Sequence, residues 1–237
     1  MANPVITTGT VVQASSGVGN KTVTMPSSSS GNIIGIYVQT QNPNNIAGDL
    51  ITITSGYTLL SRVRSGASNY HPECAVFYKV SNGSEPSTVT YAHAGIDYSS
   101  LGTPFKITGQ HASTPFGTPT TANSAGTDVA TLDLPTISYS TDSITVALFG
   151  GHNGSATQAG TDLTMLTTTY WSAAPMHSAV GYENQTTSGS TGTVTTTWTT
   201  AGRATGIMVE VKTVASTGQT LLGGLIDGGV LLNRLIG

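Results

Sequence analysis

The chain reads as all-β, a jelly-roll β-sandwich built from two Greek-key-like halves, and three observations lead there. Short runs show the period of two of a strand with one face buried: Cys74, Val76, Tyr78 and Val80 alternate with Ala75, Phe77 and Lys79. Clusters of Gly, Ser, Asn and Pro bound these runs, and such residues accept positive φ or fix a bend. The order of runs then comes round a second time: SITVALF (143–149) matches NIIGIYVQ (32–39), the run 163–170 matches that from Ile51, HSAVGY (177–182) matches CAVFY (74–78), and GTVTTTW (192–198) matches STVTY (87–91). Tyr78 lies 104 residues before Tyr182 (182 − 78), and Val89 lies 105 before Val194 (194 − 89). A strand set repeated once is what two interleaved Greek keys, an eight-stranded jelly-roll sandwich, would give.

In chain order, residues 1–16 predict an N-terminal arm in which Val5, Thr7, Val11 and Val12 can add an edge strand. Residues 17–214 predict the sandwich. It begins with a strand over 21–25, stopped by Pro26 and the serines 27–30. NIIGIYVQ is nearly all β-branched or aromatic, the composition of a central strand covered on both faces. Asn42-Pro43-Asn44-Asn45 breaks it, and Leu50–Thr54 leads into a meander over 56–91 whose turns fall at 65–69 and 81–86. Beyond Tyr91 the prolines 104, 115 and 119 predict a long connection with one or two short strands. ATGIMVEV (204–211) supplies a closing strand after the second set. Residues 215–237 predict an apolar, Gly-rich tail.

Composition narrows the function classes. Charged residues are 8% of the chain, against roughly 25% in an ordinary domain, so hydroxyls and amides carry the solubility. The 37% hydrophobic content is enough for a core and unlike the signature of disorder. A net charge of −3, with no basic patch to neutralise phosphates, argues against nucleic acid as a partner. No apolar run reaches the length of a membrane-spanning helix, and the first residues lack the basic and apolar regions of a signal peptide. Neither a membrane nor export by that route is expected. Cys74 is the only cysteine; its alternation with Val76 marks it as a small buried hydrophobe.

The motifs for chemistry are incomplete. His71, His93, His111, His152 and His177 are far apart, and the H-x-x-C pair of His71 and Cys74 has no second pair to complete four ligands, so no metal is expected. Gly189-Ser190-Thr191-Gly192 has the wrong spacing for a nucleophile elbow and reads as a turn. A carboxylate pair for sugar hydrolysis would have to come from Asp49, Glu73, Glu85, Asp97, Asp128, Asp133, Asp142, Asp162, Glu183, Glu210 and Asp227, most of them beside turn-forming residues. Tyr57, Tyr70, Tyr170, Trp171 and Tyr182 could stack a sugar ring, although strand aromatics are more often core or cross-strand partners. No catalytic residue and no cofactor is expected. Asn20, Asn82, Asn153 and Asn184 stand in glycan-acceptor triplets, which matter only in a secreted eukaryotic protein.

The run GDLITI (48–53), followed by SGYTLLSRV (55–63) and AVFYKVSNGSEPSTVTY (75–91), resembles a pattern frequent in virion proteins of tailed bacteriophages, with Tyr57 in place of the commoner tryptophan. The resemblance covers residues 30–98 well and the second half in outline. It implies a fold more than an activity: a non-enzymatic capsid decoration (cement) protein, found in the virion, that attaches to the major capsid protein or another virion protein. The alternative is a tail or fibre domain that binds a host-surface glycan; a polysaccharide-degrading enzyme is the weakest reading. An uncharged surface suits a component packed at high copy number, where fields of one sign would repel neighbours.

The tail is the expected docking element. Leu221, Leu222, Leu225, Ile226, Val230, Leu231, Leu232, Leu235 and Ile236 crowd residues 220–237, while the four glycines 223, 224, 228 and 229 each cost a helix about 1 kcal/mol. Such a segment needs a partner to order it. Burying half of those side chains at about 1.5–3 kcal/mol each offsets the ordering cost. The competing arrangement folds the tail onto its own sandwich or a neighbouring subunit of a homo-oligomer, a trimer about a threefold axis being one form.

Overall fold

A computed structural model describes residues 3–14, 20–42, 51–54, 56–66, 71–93, 99–152, 159–160 and 163–214. Within them the first half of the chain forms β1 (Val5–Thr8), β2 (Val12–Ala14), β3 (Lys21–Thr24), β4 (Ile33–Asn42), β5 (Ile51–Ile53), β6 (Thr58–Arg64), β7 (His71–Val80), β8 (Thr88–His93) and β9 (Ser100–Thr108). The second half forms β10 (Thr120–Asn123), β11 (Val129–Leu134), β12 (Ser138–Tyr139), β13 (Ser143–His152), β14 (Ala159–Gly160), β15 (Thr164–Trp171), β16 (Met176–Gln185), β17 (Gly189–Ser190) and β18 (Val194–Val211). No helix occurs among the described residues, and every ladder is antiparallel, so the expected all-β sandwich architecture is present.

The sheets stack in four layers. Two inner sheets, β1-β9-β4-β7-β6 and β10-β18-β13-β16-β15, face each other across a core of Ile33, Tyr37, Val76, Phe105, Ile144, Val146, Ile207 and Val209. The small sheet β3-β8-β5 covers the other face of the first inner sheet and buries Val23, Ile34, Ile36, Phe77 and Tyr91. On the far side, β11 and β14 pair with the first part of β18 and bury Leu132, Leu134, Phe149 and Trp198. This layering explains the continuous apolar runs. β4 and β13 are central strands covered on both faces, and all ten residues of β13 are buried.

The repeat is written in the ladders. Ile33 of β4 stands between Val80 and Ile107, as Ile144 of β13 stands between Asn184 and Val211. Val23 faces Val89 as Leu134 faces Val194. Tyr78 lies opposite Gly35 and Thr58, and Tyr182 opposite Val146 and Thr164. The register shifts too are shared, one at Leu60 in β6 and one at Leu166 in β15. Across the central core β7 lies over β18 and β9 over β16, while β6 and β10 meet at one rim and β1 and β15 at the other. The halves are thus related by an approximate twofold axis.

Three expectations change. The halves do not interleave into one sandwich: each builds its own inner and outer sheet. The run 163–170 corresponds to β6, while the short β14 stands where β5 does on the outer sheet. The connection after Tyr91 contains a nine-residue central strand, β9. Pro104 disguised it, yet it sits where the neighbouring edge is interrupted between β1 and β2, so its missing N–H costs that edge no ladder bond. The expected N-terminal arm holds β1 and β2, which pair with β9 at the rim of the first inner sheet. The tail 215–237 lies outside the described residues.

Candidate functional site

The polar groups enclosed between the two inner sheets form the densest arrangement of chemistry-bearing side chains. Gln39 ends the buried face of β4, and its Oε1 lies 3.4 Å from both Tyr37 Oη and Thr205 Oγ1, while its Nε2 donates to Thr40 O at 3.1 Å. Room for this amide comes from Gly150, where an added Cβ would fall 1.8 Å from Gln39 Oε1. Cys74 completes the group by hydrogen bonding with Thr205 and Tyr37. Burial pushes its thiol up to about 12, against the opposing pull of those bonds, and burial likewise raises Tyr37 well above the ordinary phenol value. A thiol held protonated in an enclosed site is a poor nucleophile. The seam sets the register of one half on the other, assisted by Ser65 Oγ with Ser124 Oγ at 3.0 Å and Thr103 Oγ1 with Ser178 Oγ at 3.4 Å.

The candidate residues from the sequence are dispersed. Among the described residues no three His, Cys, Asp or Glu side chains gather as a metal site. His111 Nδ1 accepts from Ser113 N and Thr114 N and shapes a turn. His177 lies against Trp198, their ring centroids 5.1 Å apart. His152 is buried beside Arg203, which pairs with Asp128 at 3.7 Å. The carboxylates hold the fold: Glu73 pairs with Arg62 at 3.4 Å, Glu85 with Lys79 at 2.6 Å, Asp133 accepts from Thr195 at 2.7 Å, and Glu210 accepts from Ser140 N at 2.6 Å. Glu183 accepts from Gln185 at 2.8 Å. Asp49, Asp97, Asp162 and Asp227 lie outside the described residues, and of the expected turn Gly189-Ser190-Thr191-Gly192 the first two residues form β17, paired with β12.

Nor do the aromatics form one platform. Tyr57 packs on the core under the first outer sheet, Trp171 on a cluster with Leu101 and Met176, and Tyr182 on the central core. Tyr70 lies outside the described residues. Of the four described, Tyr170 alone is exposed, at 40%. The nine tail aliphatics, Leu221 to Ile236, also lie outside the described residues. The Gln39 seam escaped sequence reading because its members come from four distant strands; the one local signal was Gly150-Gly151, two glycines inside a strand, which mark close approach of another chain segment.

Compared with protein-family models, curated proteins and solved structures, the chain matches none.

Proposed function

We propose that this protein is a non-enzymatic structural component of a tailed-bacteriophage virion, a capsid decoration protein that attaches to the major capsid protein through its apolar tail. The observation that carries the reading is where the charges go. Glu73, Glu85 and Glu210 are committed to internal pairs and backbone donors, and the outer faces present Thr22, Thr24, Thr52, Thr88, Thr131 and Thr197. A hydroxyl-covered surface on a doubled, rigidly packed sandwich suits a component that must sit beside many copies of itself. The phage-like runs fall on β5 to β8 of the first half, where they supply core positions and turns.

The reading includes a jelly-roll path for each half. What supports it is the order β2-β9-β4-β7 beside β3-β8-β5 in the first half; β6 pairs with β7 in the larger sheet instead of extending the smaller one.

Purified particles carrying the full chain, and particles assembled with residues 219–237 removed, test both parts. A decoration protein is present in hundreds of copies per particle and is lost on truncation while the body stays folded. A count of a few to tens would assign it to the tail instead, and full occupancy by the truncated chain would place docking elsewhere.

A further inference from the structure

Five strands form the rims of the two inner sheets, and they are defended unequally; β2 is only three residues long. An open strand edge displays unpaired N–H and C=O groups and recruits another strand unless shortness, proline, charge or a bulge prevents it. β1 and β10 are four residues each and follow Pro4 and Pro119. β6 and β15 are longer, and each carries a bulge, at Leu60 and at Leu166. Beyond the bulge they part company. β6 continues with Arg62 opposite Ala75 and Arg64 opposite Glu73; β15 has Thr168 opposite Ala179 and Tyr170 opposite His177 at the equivalent places.

Residues 167–171, TTTYW, are therefore a regular strand edge with no charge and no proline. Thr168 and Tyr170 are exposed. Beyond the ladder to β16, the backbone bond made here among the described residues is Ala174 N donating to Trp171 O at 3.3 Å. Among the described residues β1 and β14 pack against β15, and no strand other than β16 pairs with it.

The geometry points to β15 as an interaction surface that pairs antiparallel with β15 of a second copy of this chain, joining two inner sheets into one. The sequence of the edge argues for a copy of itself as the occupant. A twofold axis through Thr169 sets Thr169 against its own mate, Thr168 against Tyr170 and Thr167 against Trp171. Thr–Thr and aromatic–β-branched pairs are favourable cross-strand combinations, and no like charges meet. An isologous contact closes at two copies, unlike the threefold arrangement conceivable for the tail. It holds or fails whatever the particle to which the protein belongs.

Sedimentation of the full chain over a concentration series tests the pairing, read together with hydrogen exchange of the segment 164–171. The expected result is a reversible dimer whose formation slows exchange in that segment. Thr168→Arg with Tyr170→Arg, which copies the pattern of β6, should return the chain to a monomer with its circular dichroism and unfolding midpoint retained. A wild-type chain that stays monomeric would overturn the proposal. So would a dimer that leaves exchange of 164–171 unchanged, or one that persists in the folded double variant; in either case a different surface, or a different occupant such as the tail, makes the contact. If the double variant does not fold, the exchange measurement on the wild-type chain decides.

Discussion

His152 closes the buried face of β13 with 5% of its surface exposed, directly across the ladder from Arg203. Burial, reinforced by the Arg203 charge and opposed by Asp128, pushes its imidazole down from 6.5 to about 4. The folded chain therefore refuses a proton that the unfolded chain accepts between those two values. This contribution to stability is complete above pH 6.5, is lost progressively as the pH falls towards 4, and does not change further below it. The slope is at most about 1.4 kcal/mol per pH unit for one group. Urea unfolding at several pH values across that window should show stability falling with acidity, and His152→Gln should flatten the fall; an identical slope in the variant would exclude His152 as its source. The effect was invisible in the sequence, where His152 follows two glycines and precedes Asn153-Gly154 as a turn residue would. Only the ladder to β18 reveals that it is enclosed.

At the scale of the element, Arg62 ties β6 to two neighbouring strands. Arg62 reaches from β6 to the carbonyl of Ile51 on β5 at 2.5 Å and pairs through Nε with Glu73 on β7 at 3.4 Å. It links an edge of the inner sheet to an edge of the outer one. Glu73 has 1% of its side chain exposed, so removing the Arg62 guanidinium takes a paired cation away from an enclosed carboxylate. Replacing Arg62 by Met should destabilise the protein by about 3 kcal/mol, the scale for breaking a buried pair. Adding Glu73→Gln should recover part of that loss, because the enclosed charge is then gone; strictly additive losses in a double-mutant cycle would show that the two groups act independently. The expected meander over 56–91 contains the strand, but the sequence could not supply the partner, since Arg62 and Glu73 are brought together only by the antiparallel pairing of β6 with β7.

For the whole molecule, the surface between the halves is the largest hydrophobic feature. Ile33, Tyr37, Val76, Phe105 and Ile107 come from one half, and Ile144, Val146, Leu148, Ile207 and Val209 from the other. Either half alone would expose its share as a broad apolar sheet face, well beyond the patches that monomeric proteins tolerate. Fragments 1–113 and 114–237 should accordingly aggregate or self-associate when made separately and copurify as one complex when made together. A separate fragment that is a folded, soluble monomer would mean that the facing sheets are not needed to complete its core.

Strand type, the two-sided burial of β4 and β13, and the duplication were all determined by the sequence, because each is set by residues near one another in the chain: period-two patterning, uninterrupted β-branched runs, and turn chemistry repeated at constant spacing. Only tertiary structure decided how the copies combine. Interleaving and stacking place the same apolar residues in the same strands, and they differ solely in which strand edges share hydrogen bonds. Likewise a buried amide at Gln39, a depressed imidazole at His152 and an undefended edge on β15 depend on what lies opposite. Opposition across sheets is a property of register and packing, which local composition does not encode.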